Sequence, residues 1–120
     1  MIKRYLGRFP HALRGLVYAS RFDFGFKTQL YGILTILAGV FYFVKPLTET
    51  ELLFLVLGYF LILITELQNS ALEVALDHLH PTLHEQVGRS KDMAAGAVFL
   101  AGLFLFIVLL VLGLSRTGLF

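Results

Sequence analysis

The stretch TELQNSALEVALD, residues 65–77, follows without a break on LLFLVLGYFLILI, residues 52–64. An uncharged run therefore passes directly into a segment bearing Glu66, Asn69, Glu73 and Asp77. With about 100° per residue on a helix, Glu73 falls about 20° to one side of Glu66 and Asp77 about 20° to the other. Ser70 and Asn69 lie about 40° and 60° away. Three carboxylates, an amide and a hydroxyl thus share one stripe about three turns long. A charged residue at the centre of a spanning helix costs roughly 2.5–3.5 kcal/mol when lipid must accept it. The stripe is expected to face protein, water or a bound cation, at the end of a membrane span.

Two further apolar runs support a membrane protein. Residues 28–44 carry no charge, with Lys27 just before them, and residues 93–115 carry none either. A bilayer core of roughly 30 Å needs about 20 helical residues. The chain is 120 residues long and 58% hydrophobic, with a mean hydropathy of +0.80. The expectation is one all-α membrane domain over residues 1–120. It has an amphipathic surface helix at about 5–24, a first span at about 28–47 and a second at about 50–76 including a cytoplasmic extension. A cytoplasmic loop at 77–91 and a third span at about 92–114 complete it. A signal peptide is not expected, because no short apolar stretch with a small-residue cleavage site follows the basic N-terminus.

Charge sets the expected orientation. Six of the ten Lys and Arg residues (Lys3, Arg4, Arg8, Arg14, Arg21 and Lys27) precede the first span, and Arg89 and Lys91 lie between spans two and three. The positive-inside rule places the N-terminus and the 77–91 loop in the cytoplasm. On a helical wheel of the N-terminal segment, Ile2, Leu6, Phe9, Leu13, Leu16 and Val17 oppose the basic residues. That pattern describes a helix lying on anionic lipid. Pro10 removes a backbone donor and fits the first turn of a helix starting near Phe9. There is no cysteine, which excludes thiolate and disulfide chemistry. No nucleic-acid partner is expected.

The segment HLHPTLHEQVGRSKDMAAG, residues 78–96, offers His78, His80 and His84, but Pro81 splits the set and a zinc site is disfavoured. Gly88 permits close backbone approach. Arg89 and Lys91 supply positive charge for a polyphosphate. Asp92 is read as the start of span three, where a helix N-terminus favours a carboxylate. The small residues of MAAGA, 93–97, suit close helix packing. Neither GxxxxGK[ST] nor GxGxxG occurs.

Taken together, these residues resemble the prokaryotic integral-membrane diacylglycerol kinase family, which includes undecaprenol kinases. Its signature ExxN[ST]A[IL]ExxxD reads here from Glu66 through Asn69, Ser70 and Glu73 to Asp77. The downstream HExxGRxKDM reads from His84 and Glu85 through Gly88, Arg89 and Lys91 to Asp92 and Met93. The resemblance covers roughly residues 10 to 115. It implies a homotrimer with active sites shared between neighbouring subunits in the bacterial inner membrane, using ATP and Mg²⁺. Carried over by motif, it implies Glu66 as general base, Asn69 as its positioning partner, and Glu73 and Asp23 as metal ligands. Lys91, Asp92, His84, Glu85, Gly88, Arg14 and Asp77 would meet the nucleotide, and Glu66 and Ser70 the lipid. The family typically has Glu where this chain has Asp23, one methylene shorter. The reaction implied is phosphorylation of diacylglycerol to phosphatidic acid, with undecaprenol as the alternative lipid alcohol. Outside the kinases, an acidic stripe also suits a small proton- or cation-conducting oligomer, although Lys91, Asp92 and the loop glycine have no use there. A pure scaffold leaves Glu66 unexplained.

Overall fold

The computed structural model describes residues 1–82 and 84–119. Among them the chain is all α-helical, with three helices long and apolar enough to cross a membrane. The order is α1 (Ile2–Leu6), α2 (Phe9–Phe22), α3 (Phe24–Phe43), α4 (Glu49–Leu79) and α5 (Glu85–Arg116).

The N-terminal amphipathic segment is not one helix from residue 5 to 24. It breaks after Leu6, and α2 starts at Phe9 with Pro10 in its first turn. The ring nitrogen of Pro10 cannot donate to an earlier turn, but at a helix start that donor has no partner in any case. The polar and apolar faces of α2 separate as the wheel requires, and only Ala19 on this helix is buried.

Span one starts earlier than composition suggests, at Phe24, because Asp23 caps it. It stops at Phe43. Pro46 follows, and the residue before a proline is pushed away from helical geometry. Thr48 then opens α4 with a capping box: its hydroxyl accepts from the Glu51 amide at 3.1 Å, and Glu51 accepts from the Thr48 amide at 3.3 Å. At 31 residues, α4 is about 46 Å long, well beyond a hydrocarbon core of roughly 30 Å. Its polar C-terminal end therefore projects past the bilayer.

The largest difference from the sequence reading lies in residues 77–91. Most of that segment is helix rather than loop. α4 continues to Leu79, Pro81 forbids its extension, and His84 caps a new helix that begins at Glu85. Leu83, within the expected loop, lies outside the described residues. The result is a long α4–α5 hairpin whose polar ends both reach beyond the membrane. Asp77 and Lys91 form an ion pair between them.

Helix α4 is the central element, packed on one side by α5 and on the other by α3. The α4–α5 seam buries Leu55 and Ile62 against Ala101, Leu105 and Leu112. Gly58 sits in this seam, and a Cβ there would lie 2.9 Å from Leu105 Cδ1 and 3.4 Å from its Cα. The missing side chain is what lets the two helices approach, as small residues do in membrane interfaces. Tyr59 ties α4 to α3 by donating its hydroxyl to the Leu30 carbonyl at 2.6 Å. At the end of the bundle away from the acidic stripe, Arg116 bonds Glu51 at 2.8 Å and the Pro46 carbonyl at 2.7 Å. Much of the remaining apolar surface, including Phe99, Leu100 and Phe106, faces outward. Lipid tails accept such a surface where water would not.

Replacing Gly58 with Val should force α4 and α5 apart. Overpacking of this kind costs typically about 1–3 kcal/mol, and denaturant unfolding in detergent micelles should show a loss of that size.

Candidate active site

Between α2 and α3 the chain makes a one-residue break at Asp23, with φ −92° and ψ 110°. This residue ends one helix and starts the next. Its amide donates to the Ala19 carbonyl at 3.1 Å, and its own carbonyl accepts from Lys27 at 2.9 Å. The side chain caps α3, Oδ2 accepting from the Phe26 amide at 2.9 Å. The same Oδ2 accepts from Ser70 Oγ on α4 at 2.7 Å. One carboxylate oxygen thus fixes the start of α3 to the acidic stripe of α4. Among the described residues Oδ1 takes no hydrogen bond and stays available to an outside ligand.

This arrangement explains why Asp rather than Glu suits position 23. Asp is among the strongest N-cap residues, and its short side chain reaches the amide three residues on.

Glu66 lies one helical turn before Ser70 on the same face of α4. It is 9% exposed and is the only buried charged residue among those described. Its carboxylate rests against Gly25, in the first turn of α3, within electrostatic range of Asp23 and Glu73. Asn69 donates from Nδ2 to Glu73 Oε1 at 3.4 Å, while its own Oδ1 is buried without a hydrogen-bond partner among the described residues. An unpartnered buried acceptor costs roughly 1–3 kcal/mol.

The charge balance at this rim is one-sided. Asp23, Glu66, Asn69 Oδ1 and Glu73 are all acceptors, and no Lys or Arg is bonded to any of them among the described residues. No three His, Asp or Glu side chains among the described residues are close enough to hold a metal ion alone. Mg²⁺ is usually held by one or two carboxylates plus substrate phosphates and water rather than by an all-protein cage. The hard oxygen donors present fit that ion.

The remaining expected site residues lie in a second group. Asp77 and Lys91 are paired with each other. His84 caps α5, its Nδ1 accepting from the Gln86 amide at 3.2 Å. With His80, Leu76, Gln86, Val87 and Ser90 it lines a cleft of about 220 Å³. Glu85 pairs with Arg89 at 2.6 Å in the first turn of α5. Gly88 is open, with nothing within 4 Å of where its Cβ would be. One reading needs correction. Asp92 does not begin a helix: it lies two turns inside α5, and the favourable position at the N-terminus belongs to Glu85. Arg14, expected at the nucleotide phosphate, donates to His11 Nδ1 at 2.6 Å on the exposed face of α2. Ser70, expected at the lipid, is bonded to Asp23. The sequence reading missed the use of Gly25 as a seat for Glu66. The only local signal is a glycine two residues after a capping Asp.

Fold and site together define a multi-pass membrane protein with a carboxylate-rich site at one rim of its helical bundle. A family profile described as prokaryotic diacylglycerol kinase matches residues 10–112. The diacylglycerol kinase of Haemophilus influenzae is 31% identical over 91 residues, covering 76% of this chain and 75% of that protein. Diacylglycerol kinases of Escherichia coli K12 and Shigella flexneri are 40% identical over 47 residues, 39% of this chain and 38% of theirs. The chain belongs to the prokaryotic diacylglycerol kinase family, and is thereby a lipid kinase, for which ATP is the co-substrate.

Asparagine caps a helix about as well as aspartate, whereas alanine loses about 0.5–2 kcal/mol. Asp23→Asn should therefore unfold close to the wild-type denaturant midpoint, and Asp23→Ala should fall short by that amount. Equal losses in both variants would show that charge, rather than the cap, holds this junction.

Proposed function

We propose that this protein transfers the γ-phosphoryl group of ATP to diacylglycerol, giving phosphatidic acid, in a Mg²⁺-dependent reaction at the cytoplasmic rim of the inner membrane. The observation that carries this reading is Glu66: a buried carboxylate, without a cationic partner among the described residues, on the last part of a membrane helix beside the unpartnered Asn69 Oδ1. The names of the relatives favour diacylglycerol over other lipid alcohols.

The chemistry follows from the arrangement. A diacylglycerol hydroxyl lies at headgroup level, where the apolar part of α4 gives way to its polar end. Glu66 accepts the hydroxyl proton as the oxygen forms its bond to the γ-phosphorus and the bond to the ADP oxygen breaks. Asn69 turns its free carbonyl oxygen toward the same space and steadies the reacting groups. Bound Mg²⁺ would neutralise phosphate charge, with Glu73 and Asp23 Oδ1 as its protein ligands. Phosphoryl transfer is mostly positioning plus charge neutralisation, so a few fixed oxygens suffice. Lys91 opens from Asp77 to meet phosphate, and His84, Glu85, Gly88 and Asp92 line the approach of the nucleotide along α5. Arg14 reaches phosphate only by leaving His11.

The wide apolar surface of one chain supports an assembly of copies. Three helices do not enclose a lipid and a nucleotide together, so a homotrimer with sites completed by neighbouring subunits accounts for the open side of the stripe. The basic face of α2 supports a cytoplasmic N-terminus on anionic lipid.

Labelled ATP, Mg²⁺ and a panel of diacylglycerol, undecaprenol and other lipid alcohols in mixed micelles provide the test. Label should enter diacylglycerol most rapidly; faster labelling of undecaprenol would reassign the substrate. Glu66→Gln keeps the shape of the side chain but cannot take a proton. Turnover should fall by about 10²–10⁴-fold, the usual worth of a general base. Full turnover in this variant would remove Glu66 from that role.

A further inference from the structure

We propose that Gly25 is a positioning residue for the reaction: the missing side chain at this point of α3 is the seat of the Glu66 carboxylate, and so sets the reach of the base. The inference rests on Glu66 acting as the base. Two independent observations carry it.

The first is the bond from Ser70 to Asp23. It draws the first turn of α3 against α4, one helical turn from Glu66. With Asp23 also bonded to the Phe26 amide, the backbone of residues 23–26 is held from both sides, and Phe26 is buried. Gly25 cannot retreat without breaking the cap or the Ser70 contact.

The second is the space itself. A Cβ on Gly25 would collide with Glu66 Oε1 and lie 3.3 Å from its Cδ, while the next nearest atom, Asp23 Oδ2, would be 3.8 Å away. Among the described residues the three nearest atoms are all side-chain atoms. The clash falls on the far end of a flexible side chain, which can rotate aside. The fold therefore tolerates a methyl group here, and alanine is favoured over glycine inside a helix. What does not survive is the position of the carboxylate. A displacement of about 1 Å in a reacting group can cost about 10²-fold in rate. Stability and turnover are thus predicted to part company at this residue.

Gly25→Ala, purified in the same detergent, should retain wild-type helix content, oligomer size and thermal midpoint. Its kcat should fall by at least tenfold, and by up to about 10²-fold, with KM for ATP unchanged because the methyl group meets Glu66 and none of the groups proposed to hold the nucleotide. A kcat within threefold of wild type would overturn the proposal. So would a fall matched by an equal loss of folded protein. If Gly25→Ala cannot be purified folded, Gly25→Ala combined with Glu66→Asp decides the matter. The shorter carboxylate leaves room for the methyl group, so folded yield should recover; no recovery would place the clash elsewhere and contradict the assignment. Glu66→Gln, run alongside, separates this inference from the one beneath it. An active Glu66→Gln sinks the base assignment, whereas an inactive Glu66→Gln with a fully active Gly25→Ala sinks only the positioning role.

Discussion

One carboxylate oxygen, Asp23 Oδ2, holds two structural elements together. By accepting from Phe26 it starts α3, and by accepting from Ser70 it fixes that start to α4. Everything at the acidic rim depends on this junction. Without it the first turn of α3 would have no fixed relation to Glu66, and Gly25 would offer no seat. Because the bonds converge on one oxygen, the other is left for a ligand. The same group thus builds the junction and keeps one oxygen unbonded among the described residues.

The rest of the bundle serves the placement of that rim. Gly58 and Leu105 bring α4 and α5 close at mid-membrane, and Arg116 ties the opposite end through Glu51 and Pro46. These contacts are local and modest. A part-exposed ion pair typically contributes about 0–1 kcal/mol. With few residues buried inside a single chain, rigidity at the site comes from helix continuity: α4 runs unbroken through the bilayer and carries Glu66, Asn69, Ser70 and Glu73 on one face. A rim furnished with acceptors, with no cation bonded to them among the described residues, suits the metal–nucleotide complex proposed for it. Pairing every carboxylate internally would remove that fit.

Much of this was legible in the sequence. The acidic stripe follows from helical periodicity, the spans from uncharged runs, and the family from two spaced motifs. What could not be read there is instructive. Residues 85–91 look like loop because they are polar, but polarity reports solvent contact rather than the absence of helix, and His84 supplies a cap no composition count detects. Asp92 looked like a helix start only because the apolar run begins beside it. Asp23 reads as a shorter carboxylate, and its cap on Phe26 is local, while its bond to Ser70 depends on the angle between helices far apart in sequence. Gly25 has the same character: a glycine carries no signal of what it makes room for.

Because the chain has no cysteine, the junction can be tested without background. Asp23→Cys combined with Ser70→Cys, in membranes under mild oxidation, should form a disulfide within a single chain, seen as one linked peptide pair by mass spectrometry. Failure to link these positions, or linkage only between different chains, would contradict the claim that the start of α3 and the acidic face of α4 form one site.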